Sequence, residues 1–231
     1  MSSLDLVCEL VAGNPLVDAI HLFKPTVSPP IQDAKGLSES ERILIADALD
    51  LRSSTRFPFW ECLLQLISVR EVDAPTLVAL ARRHNRQSET SERVQREGVT
   101  IENLLARVEC LPQGSTLALS SKVQCSDGLS RHIPMLDFHC QESRRNDLLV
   151  KQITLALEIK GYLAHSGQSY HFYGSELIGE DELVQFLSRS LLYCPIVDRA
   201  WVAHQLIERA CGLRISPGKN YSDCPTIFSQ V

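Results

Sequence analysis

The spacing of the apolar residues changes near residue 112, and this change limits the folds that the chain can adopt. Before it, apolar residues recur at intervals of three or four, as at Trp60, Leu63 and Ile67, which predicts helices. After it, apolar and polar residues alternate over short segments, which predicts strands. We therefore expect a mostly helical N-terminal region over residues 1–112 and a second region, 113–231, that contains a sheet.

The second region is expected to mix strands and helices. Strands are predicted over 116–123, 132–138, 161–165, 169–173 and 213–216, and helices over 143–159, 180–192 and 197–211. The first region is predicted to be mostly helical over 38–49, 58–69, 75–83 and 100–110, with apolar-periodic segments at 4–11 and 16–23. The strand–strand–helix–strand–strand–helix order of the second region predicts an α+β fold with flanking helices.

Charge and cysteine content set limits on function. The net charge is −5 and the pI about 5.8, whereas nucleic-acid-binding domains often have a pI above about 9. This argues mildly against tight nonspecific DNA binding and leaves a local basic groove open. The eight cysteines form no C-x-x-C pair, which argues against a zinc ribbon. No apolar run reaches the roughly 18–20 residues that span a bilayer, and no signal peptide is recognisable, so we expect a soluble, cytoplasmic protein with no membrane partner.

The first candidate site lies in the segment Met135–His139. Asp137 and His139 are two residues apart, so a strand directs both side chains to one face and places Leu136 and Phe138 on the other. A carboxylate at the end of a strand can hold a divalent metal. The alternative is an ordinary aspartate at the end of a strand.

The second candidate site lies in the segment Ser166–Tyr173. Ser169 and His171 share a strand face by the same alternation. A hydroxyl and an imidazole side by side can hold phosphate oxygens through hydrogen bonds, and Gly167 lets the backbone approach a ligand closely. The alternative is an aromatic-rich hairpin with one satisfied histidine.

The third candidate site combines Asp198 with the cations Arg214 and Lys219. Such cations suit a triphosphate or the backbone of a nucleic acid. The alternative is that Asp198 caps a helix and that Arg214 is a solvated strand residue.

In this order, the three segments resemble the archaeo-eukaryotic primase superfamily, which includes PrimPol-type enzymes. The resemblance covers roughly residues 115–231 and looks closest to the bacterial primase 1D-like group. The H-F-Y-G and V-D-R-x-W-x-x-H-x-L features of that group correspond to His171–Gly174 and Val197–Leu206. The resemblance implies a primase-polymerase-like core over 113–231, with a mixed sheet of the RRM type.

The resemblance also implies a metal site for Mg²⁺ or Mn²⁺. Asp137 matches the first metal ligand of motif I, and Asp198 matches the acid of motif III. His139 stands where the family usually has a second acid. Because two-metal nucleotidyl transfer requires anionic oxygen ligands, this substitution implies weak, metal-altered or absent polymerisation.

The remaining residues are implied to bind the nucleotide. Ser169 and His171 match the motif that holds the phosphates of the incoming nucleotide, and Arg214 and Lys219 fall where the family places basic residues near nucleotide or template.

Three functions are consistent with this sequence. The first is a primase-polymerase-like nucleotidyltransferase that binds an NTP or dNTP and a single-stranded nucleic-acid template. The second is a catalytically lapsed nucleotide- or nucleic-acid-binding module with protein partners in a larger mobile-element or defence assembly. The third is an α+β interaction protein without a ligand at this site.

A basic segment, Arg82–Arg86 with Arg93 and Arg96, is the other candidate interface. It is interleaved with Glu89 and Glu92. We interpret it as a solvated helical face, because mixed charges are typical of such a surface.

Overall fold

The computed structural model describes residues 1–25, 30–55, 57–81, 91–219 and 221–231. Across these ranges, none of the helices has both the length and the apolar character needed to cross a membrane. The basic segment Arg82–Arg86 lies outside the described residues.

The described residues form eight α-helices and nine β-strands. The helices are α1 (Ser3–Gly13), α2 (Glu39–Thr55), α3 (Phe59–Arg70), α4 (Pro75–Leu80), α5 (Ile101–Glu109), α6 (Arg144–Ala156), α7 (Glu180–Ser190) and α8 (Arg199–Glu208). The strands are β1 (Val17–Phe23), β2 (Glu92–Gln95), β3 (Ala118–Cys125), β4 (Ser130–His132), β5 (Met135–Asp137), β6 (Gly161–His165), β7 (Tyr170–Gly174), β8 (Gly212–Arg214) and β9 (Thr226–Gln230). The predicted α+β class is confirmed.

The strands form two antiparallel sheets. The first has the order β2-β1-β3-β4, and β8 pairs with the N-terminal part of β3. The second has the order β5-β7-β6-β9. Buried side chains from both sheets and from the helices around them form one apolar core, in which Phe138, Tyr170 and Phe172 are among the largest fully buried residues.

The chain divides into two compact units, and the division differs from the predicted boundary at residue 112. Residues 1–25 and 86–231 form one unit, which we call the core unit, and residues 26–85 form the other, the helical unit. The segment 16–23 is responsible for much of the difference. It forms strand β1, which pairs with both β2 and β3. Most of its side chains are buried, and so short a mostly apolar segment cannot be assigned to helix or strand by periodicity alone.

The helical unit has its own apolar core and a buried carboxylate. Glu41 accepts hydrogen bonds from Ser38 at the start of α2 and from the backbone N–H groups of Thr76 and Leu77, at 3.0 and 3.2 Å, in the first turn of α4. Burial alone would raise the pKa of Glu41, but these hydrogen bonds together lower it below its ordinary value. One carboxylate therefore caps two helices.

The arginines near residue 93 do not form the predicted helical face. Arg93 lies in strand β2, and Arg96 lies in the turn that follows it. The Arg96 guanidinium donates hydrogen bonds to the carbonyl oxygens of Asn14 and Val17, at 2.9 and 3.0 Å. Arg96 therefore ties the end of α1 to the start of β1.

Candidate functional site

Strands β5 and β7 bring the first two candidate segments together. Asp137 and His171 are directly opposite each other in the antiparallel register, and Asp137 Oδ1 lies 3.7 Å from His171 Nε2. Leu136 and Phe138 are buried, as the predicted alternation of side chains requires.

The third candidate acid lies next to Asp137. The backbone N–H of Asp198 donates a hydrogen bond to the Asp137 carbonyl oxygen at 3.0 Å. Asp198 Oδ2 lies 3.8 Å from His139 Nδ1. The structure therefore places Asp137, His139, His171 and Asp198 together, and we call these four residues the Asp–His cluster.

The Asp–His cluster is open to solvent on one side. The side chains of Asp137, His139 and Asp198 are between 22% and 29% exposed, whereas that of His171 is 8% exposed. A ligand can therefore reach both carboxylates directly, while His171 lies beneath them.

Asp198 also caps a helix, as the alternative interpretation predicted. Its Oδ1 accepts a hydrogen bond from the backbone N–H of Trp201 at 2.9 Å in the first turn of α8. Its other oxygen, Oδ2, faces His139. The cap fixes the orientation of the carboxylate, and one oxygen remains directed at the cluster.

The environment shifts two pKa values in the cluster. Burial raises the pKa of Asp137 well above its ordinary value, the neighbouring Asp198 carboxylate raises it further, and Arg214 opposes the shift. Burial, with a smaller contribution from the Arg214 cation, lowers the pKa of His171 to about 3. The ionised form of Asp137 is therefore unfavourable at this position, beside a neutral imidazole.

Ser169 contacts the backbone of the first candidate segment. Its hydroxyl donates a hydrogen bond to the Phe138 carbonyl oxygen and accepts one from the Cys140 N–H at 3.3 Å. These two bonds tie the loop that carries His139 to the start of β7.

Tyr173 connects His171 to strand β8. The Tyr173 hydroxyl lies 3.2 Å from His171 Nδ1 and donates a hydrogen bond to the Arg214 carbonyl oxygen at 3.1 Å. Tyr173 is fully buried, and burial raises the pKa of its phenol. Tyr173 was not predicted as a site residue, although it lies two residues after His171 and therefore on the same strand face.

Arg214 is half-buried and is not the solvated strand residue of the alternative interpretation. Its guanidinium donates hydrogen bonds to the carbonyl oxygens of Ser166, Ser216 and Asp223. Its central carbon lies 3.9 Å from the centre of the Tyr221 ring, which is a cation–π contact. Burial lowers its pKa.

The turn between β6 and β7 is held from two sides. Arg214 binds the Ser166 carbonyl oxygen, and Glu142 accepts a hydrogen bond from the Gly167 N–H at 2.6 Å. Gly167 has a φ of +92°, a conformation that favours glycine. Glu142 was not predicted, because its partner is 25 residues away in sequence.

Lys219 is exposed, and its backbone N–H bonds to the Gly114 carbonyl oxygen at 3.2 Å. This contact involves only the backbone and does not bring the side chain of Lys219 into the Asp–His cluster. Its predicted role near the nucleotide stays a prediction.

Among the residues that the structure describes, no group of three or more His, Cys, Asp and Glu side chains has an arrangement that could hold a metal ion. The predicted metal ligands do lie side by side, as two His–Asp pairs with separations of 3.7 and 3.8 Å. The metal role of Asp137, His139 and Asp198 stays a prediction.

Comparison with known families decides the relationship that this site suggests. The family model for archaeo-eukaryotic primase 1D-like proteins matches residues 95–226, which is more than half of the chain. The chain belongs to this family. The primase 1D-like match begins inside β2, and it therefore includes most of the core unit. No curated protein and no solved structure matches the chain.

Proposed function

We propose that the Asp–His cluster of this primase 1D-like protein binds a nucleoside triphosphate together with a divalent cation, and that the chain transfers nucleotides with low activity. Membership in the primase family supports a primase-polymerase-like fold. The observation that carries the proposal is the adjacency of Asp137 and Asp198, joined by a backbone hydrogen bond of 3.0 Å.

The charges of the cluster favour a cation. Burial and the Asp198 carboxylate both raise the pKa of Asp137, so the ionised form of Asp137 is unfavourable unless a positive charge lies nearby. Carboxylates are the ligands that Mg²⁺ and Mn²⁺ prefer. A bound cation would remove this repulsion.

The donor set suits one ion that arrives with the nucleotide better than a bare pair of ions. Asp137 and Asp198 would hold it, and His139 would be the neighbouring imidazole. Phosphate oxygens would complete its coordination, because Mg²⁺ is commonly bound by one or two carboxylates plus substrate phosphates. When bound, the ion would neutralise charge on the phosphates. The proposed attacking group is the 3′-hydroxyl of a primer or an initiating nucleotide.

A second function is favoured by the hydrogen bonds that site residues make to the protein's own backbone. Asp198 gives one oxygen to the cap of α8, and Ser169 gives its hydroxyl to the backbone. These contacts leave fewer groups for chemistry. They favour a lapsed module that binds nucleotide or single-stranded nucleic acid within a larger assembly.

A titration tests the first function. The protein is incubated with labelled ATP or dATP, Mg²⁺ or Mn²⁺, and a primed single-stranded template, and both nucleotide affinity and primer extension are measured. Asp137→Asn should lower nucleotide affinity at least about tenfold, which is about 1.4 kcal/mol of binding free energy, and should abolish extension. Asp18→Asn, at an exposed position of β1, is the matched control and should change neither.

The outcomes separate the two functions. Extension that depends on Asp137 supports the nucleotidyltransferase. Nucleotide binding that depends on Asp137 without any product supports the lapsed module. Binding that is absent, or that Asp137→Asn and Asp18→Asn leave equally unchanged, rejects the site.

A further inference from the structure

One face of the first sheet carries a row of basic side chains. Along β1, His21 lies between Ile20 and Leu22, whose side chains belong to the apolar core. The side chain of His21 therefore lies on the opposite face of the sheet. Arg93 of β2 is directly opposite His21 in the antiparallel register and shares that face.

Lys122 of β3 continues this row on the other side of β1. Its neighbour Val123 belongs to the core and is the register partner of Ile20. Lys122 therefore lies on the same face as His21. Electrostatics agree with this placement, because burial lowers the pKa of His21 and the charges of Arg93 and Lys122 lower it further. We call Arg93, His21 and Lys122 the basic row.

The two cations of the basic row are accessible to a partner. Arg93 and Lys122 are both exposed. Across the described residues, none of the ion pairs or side-chain hydrogen bonds uses the guanidinium of Arg93 or the ammonium of Lys122. Glu180 is affected by the charge of Lys122, but its carboxylate is paired with Arg209 at 2.6 Å. The basic row therefore presents positive charge that no ion pair with a described side chain neutralises.

The face that carries the basic row leads to the Asp–His cluster. Ala118 and Lys122 are four residues apart on β3 and so share a face. Arg214 of β8 is directly opposite Ala118 in the register. Arg214 is close enough to the cluster to oppose the raised pKa of Asp137. A molecule that lies along this face would therefore run from β2, at one end of the sheet, toward the cluster.

The spacing and chemistry of the basic row favour a single-stranded nucleic acid. Neighbouring strands are about 4.8 Å apart, so the ends of the row, two strands apart, are separated by roughly 10 Å. The repeated charges of a phosphodiester backbone can contact both ends at once. Between them, the partly exposed ring of His21 offers a flat surface on which an unpaired base can stack. Bases inside a duplex are already stacked on each other, so a single strand fits this surface better.

We propose that the basic row binds a single-stranded nucleic acid, with Arg93 and Lys122 on its phosphates and an unpaired base stacked on His21, and that the strand extends along this face toward the Asp–His cluster. None of these three residues belongs to the three candidate segments. The inference rests on the proposed function only for the use of the strand as a template. The binding itself requires neither a divalent ion nor an ionised Asp137.

Strand binding is measured in EDTA with a fluorescent oligothymidylate of about 16 nucleotides, at several salt concentrations. Arg93→Gln and Lys122→Gln should each weaken binding several-fold. Each should also lower the slope of log K against log salt concentration by about 0.7, the value for one phosphate contact on a single strand. Lys160→Gln is the matched control, because it removes an exposed cation just before β6, and it should change neither quantity.

The ring of His21 is tested separately from the cations. His21→Ala should weaken binding on the order of tenfold, since it removes one base–ring stack, and should leave the salt slope unchanged. His21→Phe keeps a ring and should bind as tightly as wild type. Because His21 is partly buried, the thermal unfolding of both variants is compared with that of wild type. If His21→Ala does not fold, the variants at the exposed positions Arg93 and Lys122 decide the question.

Several results would overturn the inference. One is the absence of oligothymidylate binding, and another is an equal loss in Arg93→Gln, Lys122→Gln and Lys160→Gln. Duplex DNA or polyglutamate that competes as well as the single strand would show that the partner is not an unpaired strand. His21→Phe that folds and binds as weakly as His21→Ala would show the same.

Failure of the proposed function is distinguishable from failure of this inference. Asp137→Asn should not weaken the binding of oligothymidylate, because the basic row does not include Asp137. A protein that binds oligothymidylate through the basic row but binds no ATP rejects the proposed function alone. A protein that binds ATP through Asp137 but binds no single strand rejects the inference alone.

Discussion

Two serine–histidine pairs lie in the core unit, and they differ in what surrounds them. Ser169 and His171 do not bond to each other; each contacts other groups next to the open Asp–His cluster. Ser121 and His132 do bond, with Oγ 3.0 Å from Nδ1, but they are 0% and 2% exposed. The buried pair has the contact expected of a nucleophile and its base, yet no substrate can reach it. A serine beside a histidine is therefore informative only together with exposed carboxylates.

The largest effect is expected from breaking the buried pair. Ser121 also accepts a hydrogen bond from the Cys211 N–H at 2.7 Å, so Ser121→Ala leaves two buried polar groups without this partner. We expect a loss of about 3 kcal/mol in the free energy of unfolding, measured by urea denaturation, and unchanged nucleotide affinity. Ser130→Ala, at an exposed position, is the control. If Ser121→Ala instead left stability unchanged and impaired nucleotide binding, the buried pair would have a binding role and not a structural one.

The buried pair should also make the protein sensitive to acid. Burial lowers the pKa of His132 to about 4, below the value of about 6.5 in an unfolded chain. The folded state therefore binds fewer protons, and stability falls as the pH drops from about 6.5 toward 4. At pH 5 the penalty from His132 is about 2 kcal/mol.

His132→Asn isolates this effect, because it removes the titration and keeps a polar atom near Ser121. The difference in unfolding free energy between wild type and variant should change between pH 7.5 and pH 5 in favour of the variant. A difference that is independent of pH would show that His132 does not titrate in this range.

Substitution in the Asp–His cluster should stabilise the folded protein, whereas substitution in the buried pair destabilises it. The pKa of Asp137 is raised, so its ionised form destabilises the folded state above the ordinary pKa of an aspartate. Asp137→Asn should raise the free energy of unfolding at pH 7, while it impairs nucleotide binding. Thermal unfolding at pH 7 with and without nucleotide measures both effects. A destabilised variant would indicate that the carboxylate is structural, like Ser121.

The smallest effect is expected for Ser169→Ala. Its hydroxyl bonds to backbone groups that are only partly buried, so we expect a cost of about 0.5 kcal/mol. Nucleotide affinity should nevertheless fall, because the loop with His139 loses its tie to β7. Urea and nucleotide titrations of Ser169→Ala and Ser121→Ala, run in parallel, measure stability and nucleotide affinity. If both variants lowered nucleotide affinity equally, the two pairs would not differ in their role in binding.

The elements with strong local signals could be predicted from the sequence. Helices α2 and α3, and the hairpin of β6 and β7, lie where periodicity and turn residues placed them. Strand β1 could not be assigned, because a strand that is buried nearly throughout has no alternation. Strand β9 was missed: Thr226–Gln230 is short, and its pairing with β6 joins residues far apart in sequence.

The sequence predicted which residues form the candidate site better than it predicted the contacts between them. Alternation placed Asp137 and His139 on one strand face and Ser169 and His171 on another, and the family resemblance grouped them with Asp198. The structure brings Asp137, His139, His171 and Asp198 together. The hydrogen bonds that decide chemical roles were not predictable. The proton of Tyr173 is directed by a carbonyl oxygen 41 residues away, and such a pairing depends on the packing of two sheets and on no local pattern.

The place of the helical unit in the chain has a consequence for how well its length can change. Residues 26–85 connect two strands that pair directly, with Leu22 opposite Glu92. The ends of this long connection are therefore held together by the strand ladder, and the entropy of closing a loop grows only slowly with its length, by about 0.6 kcal/mol for each doubling. The helical unit can thus be lengthened or shortened at a small cost in closure entropy, while the strand ladder keeps the register of β1 and β2.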